Sequence, residues 1–113
     1  MKREKLYHCR LSKTGRTYPV TLRFTRYILG QTLCVQLRES NAPWGDFAQL
    51  SVNLQSPLQD ETRAFLDINN CPWAEEFLRD NQIAHPVEGV SVKSGFCTYP
   101  LYEFNTDARW EED

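Results

Sequence analysis

Two runs of alternating residues limit what this chain can fold into more than any other feature. Val20, Leu22 and Phe24 alternate with Thr21, Arg23 and Thr25, and Leu33, Val35 and Leu37 alternate with Cys34, Gln36 and Arg38. A period of two puts apolar side chains on one side of an extended backbone and polar ones on the other, which predicts two half-buried strands. Leu29-Gly30-Gln31 lies between them, and glycine reaches positive φ at no steric cost, so the strands should close as an antiparallel hairpin. After the polar loop Ser40 to Asp46, a third alternation sets Ala48, Leu50, Val52 and Leu54 against Gln49, Ser51, Asn53 and Gln55. A slip of one residue would turn a whole apolar row into water, so the three rows should share one face of one sheet. Thr21, Arg23, Thr25, Cys34, Gln36, Arg38, Gln49, Ser51 and Asn53 would then line the other.

The rest of the chain adds weaker elements around that sheet. Tyr7 to Leu11 suits a further strand, with Ser12-Lys13-Thr14-Gly15-Arg16 as its turn. Ala64-Phe65-Leu66-Asp67-Ile68 is a short apolar segment that suits a strand or a helical turn. Pro72 has the fixed φ of a first helical turn and loses no needed N–H there, which predicts a helix over 72–81 capped by Asn70 or Cys71. Trp73, Phe77 and Leu78 would lie on its apolar side, Glu75 and Glu76 in its early turns, and Asn81 at its end. Val90 and Val92, the Ser94-Gly95 turn and the aromatic run Phe96 to Phe104 predict a final hairpin. Pro100 cannot donate to a ladder, so its strand is expected at a sheet edge or at a bulge. With 113 residues the chain can bury one core. The expectation is an α+β fold: one antiparallel sheet of about five or six strands, one helix packed on one face, and flexible ends over about 1–5 and 106–113.

Charge is unevenly spread. Residues 1–57 hold nine Lys or Arg against three acids, and residues 58–113 hold four against twelve. The two halves can fold against each other and partly neutralise, or present a basic and an acidic face. Cys9, Cys34, Cys71 and Cys97 are widely spaced and form no C-x-x-C, so neither zinc nor disulfides are expected, and the thiols read as reduced. No apolar run reaches the ~18 residues of a membrane span, and Met1 to Leu6 leads into no signal-like apolar region. A cytoplasmic protein without membrane contact is the expectation.

The segment Phe65-Leu66-Asp67-Ile68-Asn69-Asn70, the 73–81 helix, and Ser94-Gly95-Phe96-Cys97-Thr98-Tyr99-Pro100-Leu101-Tyr102-Glu103-Phe104 together resemble a family of small bacterial proteins of unknown function. Its members are carried on conjugative elements and phages of gut Firmicutes. The Ser-Gly-Phe-Cys-Thr-Tyr-Pro-Leu-Tyr run is the specific part, and the resemblance covers roughly residues 18–104. It implies no catalytic residues. It does imply genomic company: small accessory proteins of such elements often inhibit host defence, anti-CRISPR proteins among them.

No phosphate-binding, dinucleotide-binding, zincin or serine-hydrolase motif occurs, and no cofactor is implied. An enzyme would have to use Cys97 as nucleophile, with His8 or His85 as base and Asp67 as orienter. A free cysteine on a strand is more often a small buried hydrophobe. Arg23 and Arg38 share a face by alternation and, with Arg26, form the candidate nucleic-acid surface, although that face lacks the aromatics that stack single strands. Asn69 and Asn70 are explained by a turn and cap. Tyr99, Tyr102 and Trp110, beside the edge expected at Pro100, are the candidate partner-binding residues, since exposed edges accept added strands and Tyr and Trp dominate interface hot spots. The sequence thus reads as a non-enzymatic mobile-element or phage protein, monomer or homodimer, that inhibits a host defence protein by binding it. The alternatives are a nucleic-acid-binding accessory protein and a cysteine-dependent enzyme.

Overall fold

The computed structural model describes residues 2–11, 13–40 and 46–112. Ser12 and residues 41–45 of the expected polar loop lie outside the described residues. The N-terminal hairpin forms as the alternation requires: β3 (Thr17–Arg26) pairs antiparallel with β4 (Leu33–Glu39), Leu22 opposite Leu37 and Phe24 opposite Val35. Gly30 takes φ 89° in the turn, and Tyr27 N–H closes the hairpin on Thr32 O at 2.9 Å. β2 (Tyr7–Arg10) flanks β3 and β5 (Asp46–Gln49) flanks β4, which gives a four-stranded sheet in the order β2-β3-β4-β5.

The expected single sheet divides at Leu50. β5 ends at Gln49 and β6 (Ser51–Val52) belongs to a second four-stranded sheet, ordered β6-β7-β9-β8, with β7 (Arg63–Leu66), β8 (Ala84–Ser94) and β9 (Cys97–Phe104). Leu50 belongs to both sheets by hydrogen bonding, its N–H donating to Val35 O at 2.9 Å and its carbonyl accepting from Asp67 N at 2.8 Å. A strand that crosses between two sheets has to bend, and the bend breaks its alternation. Leu50 and Ser51 are both buried, while Val52 pairs with Phe65 outside the main core. Ser51 is tolerated inside because its hydroxyl accepts from Val35 N at 2.9 Å and shares a 2.7 Å hydrogen bond with Tyr27 OH.

The segment 63–66 is a strand, and Ala64, Phe65 and Leu66 are buried in succession. The strand carrying Pro100 is interior, between β7 and β8, and not an edge; the expected alternative, a bulge, is found in its pairing with β8, whose register shifts between Pro86 and Ser91, the residue opposite Pro100. Phe104 N–H donates toward the β7 side, to Thr62 O at 2.8 Å. Every second residue of a strand points the same way, so the nitrogen of Pro100 faces that side too, beyond the last β7 partner at Leu101. The missing donor thus falls just past the last β7–β9 pair, where β7 itself ends at Leu66.

The helix α1 is shorter than the sequence predicts, Ala74–Asp80, with Trp73 as its N-cap and no side-chain cap. Asp67 organises the entry: its carboxylate accepts from Asn70 N and Nδ2, and its carbonyl accepts from Cys71 N. Asn81 ends the helix, its side-chain amide donating to Phe77 O at 2.9 Å. Ala74, Phe77 and Leu78 enter the core shared by both sheets. The ends, expected to be flexible, pair with each other: β1 (Lys2–Glu4) lies antiparallel to β10 (Trp110–Glu112), after a 3-10 turn over Thr106–Arg109. Tyr7 OH donates to Ala108 O at 2.7 Å and Lys5 N–H to Arg109 O at 2.9 Å, which fastens this pair to the body. No helix among the described residues is long and apolar enough to cross a membrane.

Candidate protein-binding site

The three aromatic residues predicted to bind a partner are not brought together. Tyr102, 1% exposed, belongs to the core, because β9 is interior. Its hydroxyl donates to Glu75 of α1; burial first, then that bond, raises its pKa above the usual phenol range. Tyr99, three residues earlier, faces the opposite side of β9 and is half-buried. Interaction with the Cys97 thiol raises its pKa. Trp110 lies in the separate two-stranded sheet, with the Arg109 guanidinium 4.3 Å above its ring.

Of the arginines, Arg23 and Arg38 do share the outer face of the first sheet, where Arg23 opposes Gln36 and Arg38 opposes Thr21. Arg26 has the other parity and is held at the hairpin end. Its guanidinium donates to Gln31 O at 3.1 Å and sits 3.5 Å from the Glu61 carboxylate. The candidate cysteine chemistry is only partly assembled, Cys97 and Asp67 both lying near Tyr99. His85 pairs with Glu103 and Cys97 lies six residues along the same strand, about 20 Å away at ~3.3 Å per residue. His8 is in the other sheet, and Asp67 is engaged with Asn70.

What the fold does assemble is an aromatic row that runs from the core to the surface. Tyr7 meets Phe77 at 6.2 Å between ring centroids, Phe77 meets Trp73 at 6.3 Å, Trp73 meets Phe47 at 6.1 Å, and Phe47 meets Tyr18 at 5.2 Å. Tyr7 and Phe77 are buried, while Trp73, Phe47 and Tyr18 are half-buried. The first three contacts are edge-to-face, the arrangement aromatic quadrupoles favour. Trp73 divides two depressions. One, of about 480 Å³, lies between β2 and α1 and is lined by His8, Arg10, Glu76, Phe77, Asp80 and Asn81 as well as Trp73. The other, of about 470 Å³, is lined by Leu11, Phe47, Gln49, Asp67, Asn70 and Cys71 among others. The Asp67 turn places Trp73 at the N-cap, outside the regular helix, so its indole stands between them.

The thiols near this row are kept neutral. Burial pushes Cys9 up to about 12 and Cys71 up to about 11, and Cys71 Sγ donates to Gln49 O at 3.6 Å. Protonated at neutral pH, they line the core as small apolar groups. Among the described residues, no group of three His, Cys, Asp or Glu converges to hold a metal ion.

Sequence reasoning placed Trp73 and Phe77 on the core side of the helix, and Phe77 is in the core with half-buried Trp73 packed against it, but it did not see the wall made by Glu76 and Asp80. Their spacing of four on the polar helix face was the available signal. The exposed flank of β2 had no local signal, because strand order is a tertiary property.

Fold and site together describe a small α+β protein of two four-stranded sheets and one two-stranded sheet, with an aromatic-floored groove beside a terminal strand. Residues 21–113 match a domain of unknown function, DUF4313, and the chain belongs to that family. No curated protein and no solved structure matches it.

Proposed function

We propose that this chain is a non-enzymatic accessory protein of a mobile element or phage that blocks a host defence protein, in the manner of an anti-CRISPR protein, by binding it through the surface around Trp73. The observation that supports binding is the aromatic row. Trp73 stands half-exposed on a rigid base of buried Phe77 and Tyr7, with Arg10, Glu76 and Asp80 at the rim. Interface hot spots have this composition, a rigid aromatic anchor within a polar rim. The defence target follows from the family resemblance drawn from the Ser94 to Tyr102 segment.

The second reading, nucleic-acid binding, draws on Arg23 and Arg38 sharing a face. Two phosphate contacts would give log affinity a slope of only about −2 against log salt on duplex DNA. The test is plasmid challenge of hosts with active CRISPR or restriction systems. The wild-type chain is expected to restore establishment of a targeted plasmid. A folded Trp73→Ala variant should lose that effect, since truncating an aromatic anchor costs about 2 kcal/mol or more, roughly thirtyfold in affinity. Arg23→Ala combined with Arg38→Ala should keep it. No restoration in any such host overturns the inhibitor reading. Loss in the double arginine variant, together with salt-sensitive DNA binding, puts nucleic acid in its place.

A further inference from the structure

β2 is the terminal strand of its sheet, and α1 runs beside its outer edge. Trp73, before the helix, shares the depression of about 480 Å³ with Arg10, while Asn81 and Gln82 after it share an adjoining depression of about 330 Å³ with Lys5, Leu6 and His8. Helix and strand are therefore antiparallel neighbours along the whole of β2, with a groove between them. The β2 backbone is oriented for use from this side. Leu11 N–H donates to Arg16 O, toward β3, so alternation turns the N–H and C=O groups of His8 and Arg10 outward, where no strand pairs with them among the described residues.

Building on the protein-binding reading, we infer that this groove takes an extended segment of the partner's chain, added as a fifth strand along β2. Main-chain hydrogen bonds to His8 and Arg10 hold such a segment whatever its sequence, and alternate side chains select it. Side chains turned toward α1 meet the Phe77 and Trp73 rings and, beside them, the carboxylates of Glu76 and Asp80. These carboxylates stand one helical turn apart, are exposed, and make no ion pair among the described residues. Side chains turned the other way lie beside the exposed His8 and Arg10. Charge complementarity then specifies the occupant: an apolar residue facing the rings, an acidic residue beside Arg10, and a basic residue facing Glu76 and Asp80, in that order along the segment.

The test uses the full chain and three blocked decapeptides of threonine. One carries a central valine–glutamate–lysine triplet, one the valine–lysine–glutamate isomer, and one the first triplet with N-methylated backbone. The first is expected to slow amide hydrogen exchange at His8 and Arg10. The isomer, identical in composition and charge, should bind about tenfold more weakly, and Glu76→Gln with Asp80→Asn should erase that difference. N-methylation should abolish binding. His8→Pro removes only an outward donor and should lose the peptide, whereas His8→Ala keeps the donor and should retain it. Equal binding of the two isomers, or undiminished binding of the N-methylated peptide, overturns strand addition whether or not His8→Pro folds. Protection of the same amides by raised protein concentration alone, with a dimer in sedimentation, gives the edge to a second copy and also overturns it. Plasmid challenge separates the two readings: if the peptides fail while Trp73→Ala still abolishes inhibition, protein binding stands and only the docking mode is wrong.

Discussion

The two four-stranded sheets solve the same packing problem differently. In β3 and β4, Leu22, Val35 and Leu37 are buried in the core, while Thr21, Arg23, Gln36 and Arg38 occupy the outer face, none of them fully buried. In β7 and β9, Ala64, Tyr102 and Phe104 belong to the core, yet Phe65 and Leu101, paired opposite each other on the other face, are also buried. The first sheet is amphipathic, whereas the β7–β9 pair of the second buries apolar residues on both of its sides. A free polar face is available for charge, whereas the half-buried indole of Trp73 lies where the helix begins.

Truncation should make the contrast visible, and its largest effect is expected where both faces are buried. Phe65→Ala should destabilise the chain by about 3 to 5 kcal/mol in urea unfolding, comparable with Phe77→Ala in the common core. A loss under ~1 kcal/mol at Phe65 would mean that the outer face of the second sheet is not packed. Leu22→Ala should cost about 2 to 5 kcal/mol and its neighbour Thr21→Ala within about 0.5 kcal/mol, so similar values for the two would remove the amphipathic character of the first sheet.

Titration sharpens the same comparison from the core side. Cys9, Cys71 and Tyr102 all have pKa values raised by burial, so the folded state holds their protons above the pH at which the unfolded chain releases them. Their contribution is present below the unfolded values, near 9 for the thiols, and is lost as pH rises toward about 11 for Cys71 and about 12 for Cys9. Stability measured by denaturation should therefore fall from about pH 9 upward, and less steeply in Cys9→Ala. A flat profile would mean that these thiols are not desolvated. In native protein at neutral pH, half-buried Cys97 should react with a disulfide reagent well before Cys9 and Cys71.

The smallest effect is expected on the polar face. Arg23→Ala with Arg38→Ala should change stability by no more than about 0.5 kcal/mol per site. A larger loss would show that this face is held by interactions beyond alternation.

The elements differ in how openly the sequence showed them, for a physical reason. The β3–β4 hairpin was legible down to its buried face, because one wet face and one dry face impose a period of two and Gly30 marks the turn. The β2–β3 turn and the final hairpin were legible from Gly15 and Gly95, both at positive φ. β7 was ambiguous because a strand buried on both faces shows no alternation. The alternation across Leu50 suggested one continuous strand, since nothing local says that its N–H and its carbonyl will be taken by different sheets. The site followed the same division. An aromatic supply was visible in the sequence, but the candidate contact was assigned to Tyr99, Tyr102 and Trp110 because Pro100 suggested an edge, and the acidic helix face of Glu76 and Asp80 was not part of it. Local sequence determines periodicity, turns and helix ends, which depend on a few neighbouring dihedrals and on contact with water. Strand order was decided by closing two sheets and a helix around one core; strand order made β9 interior and left β2 terminal, and the packing of α1 set Trp73 beside it.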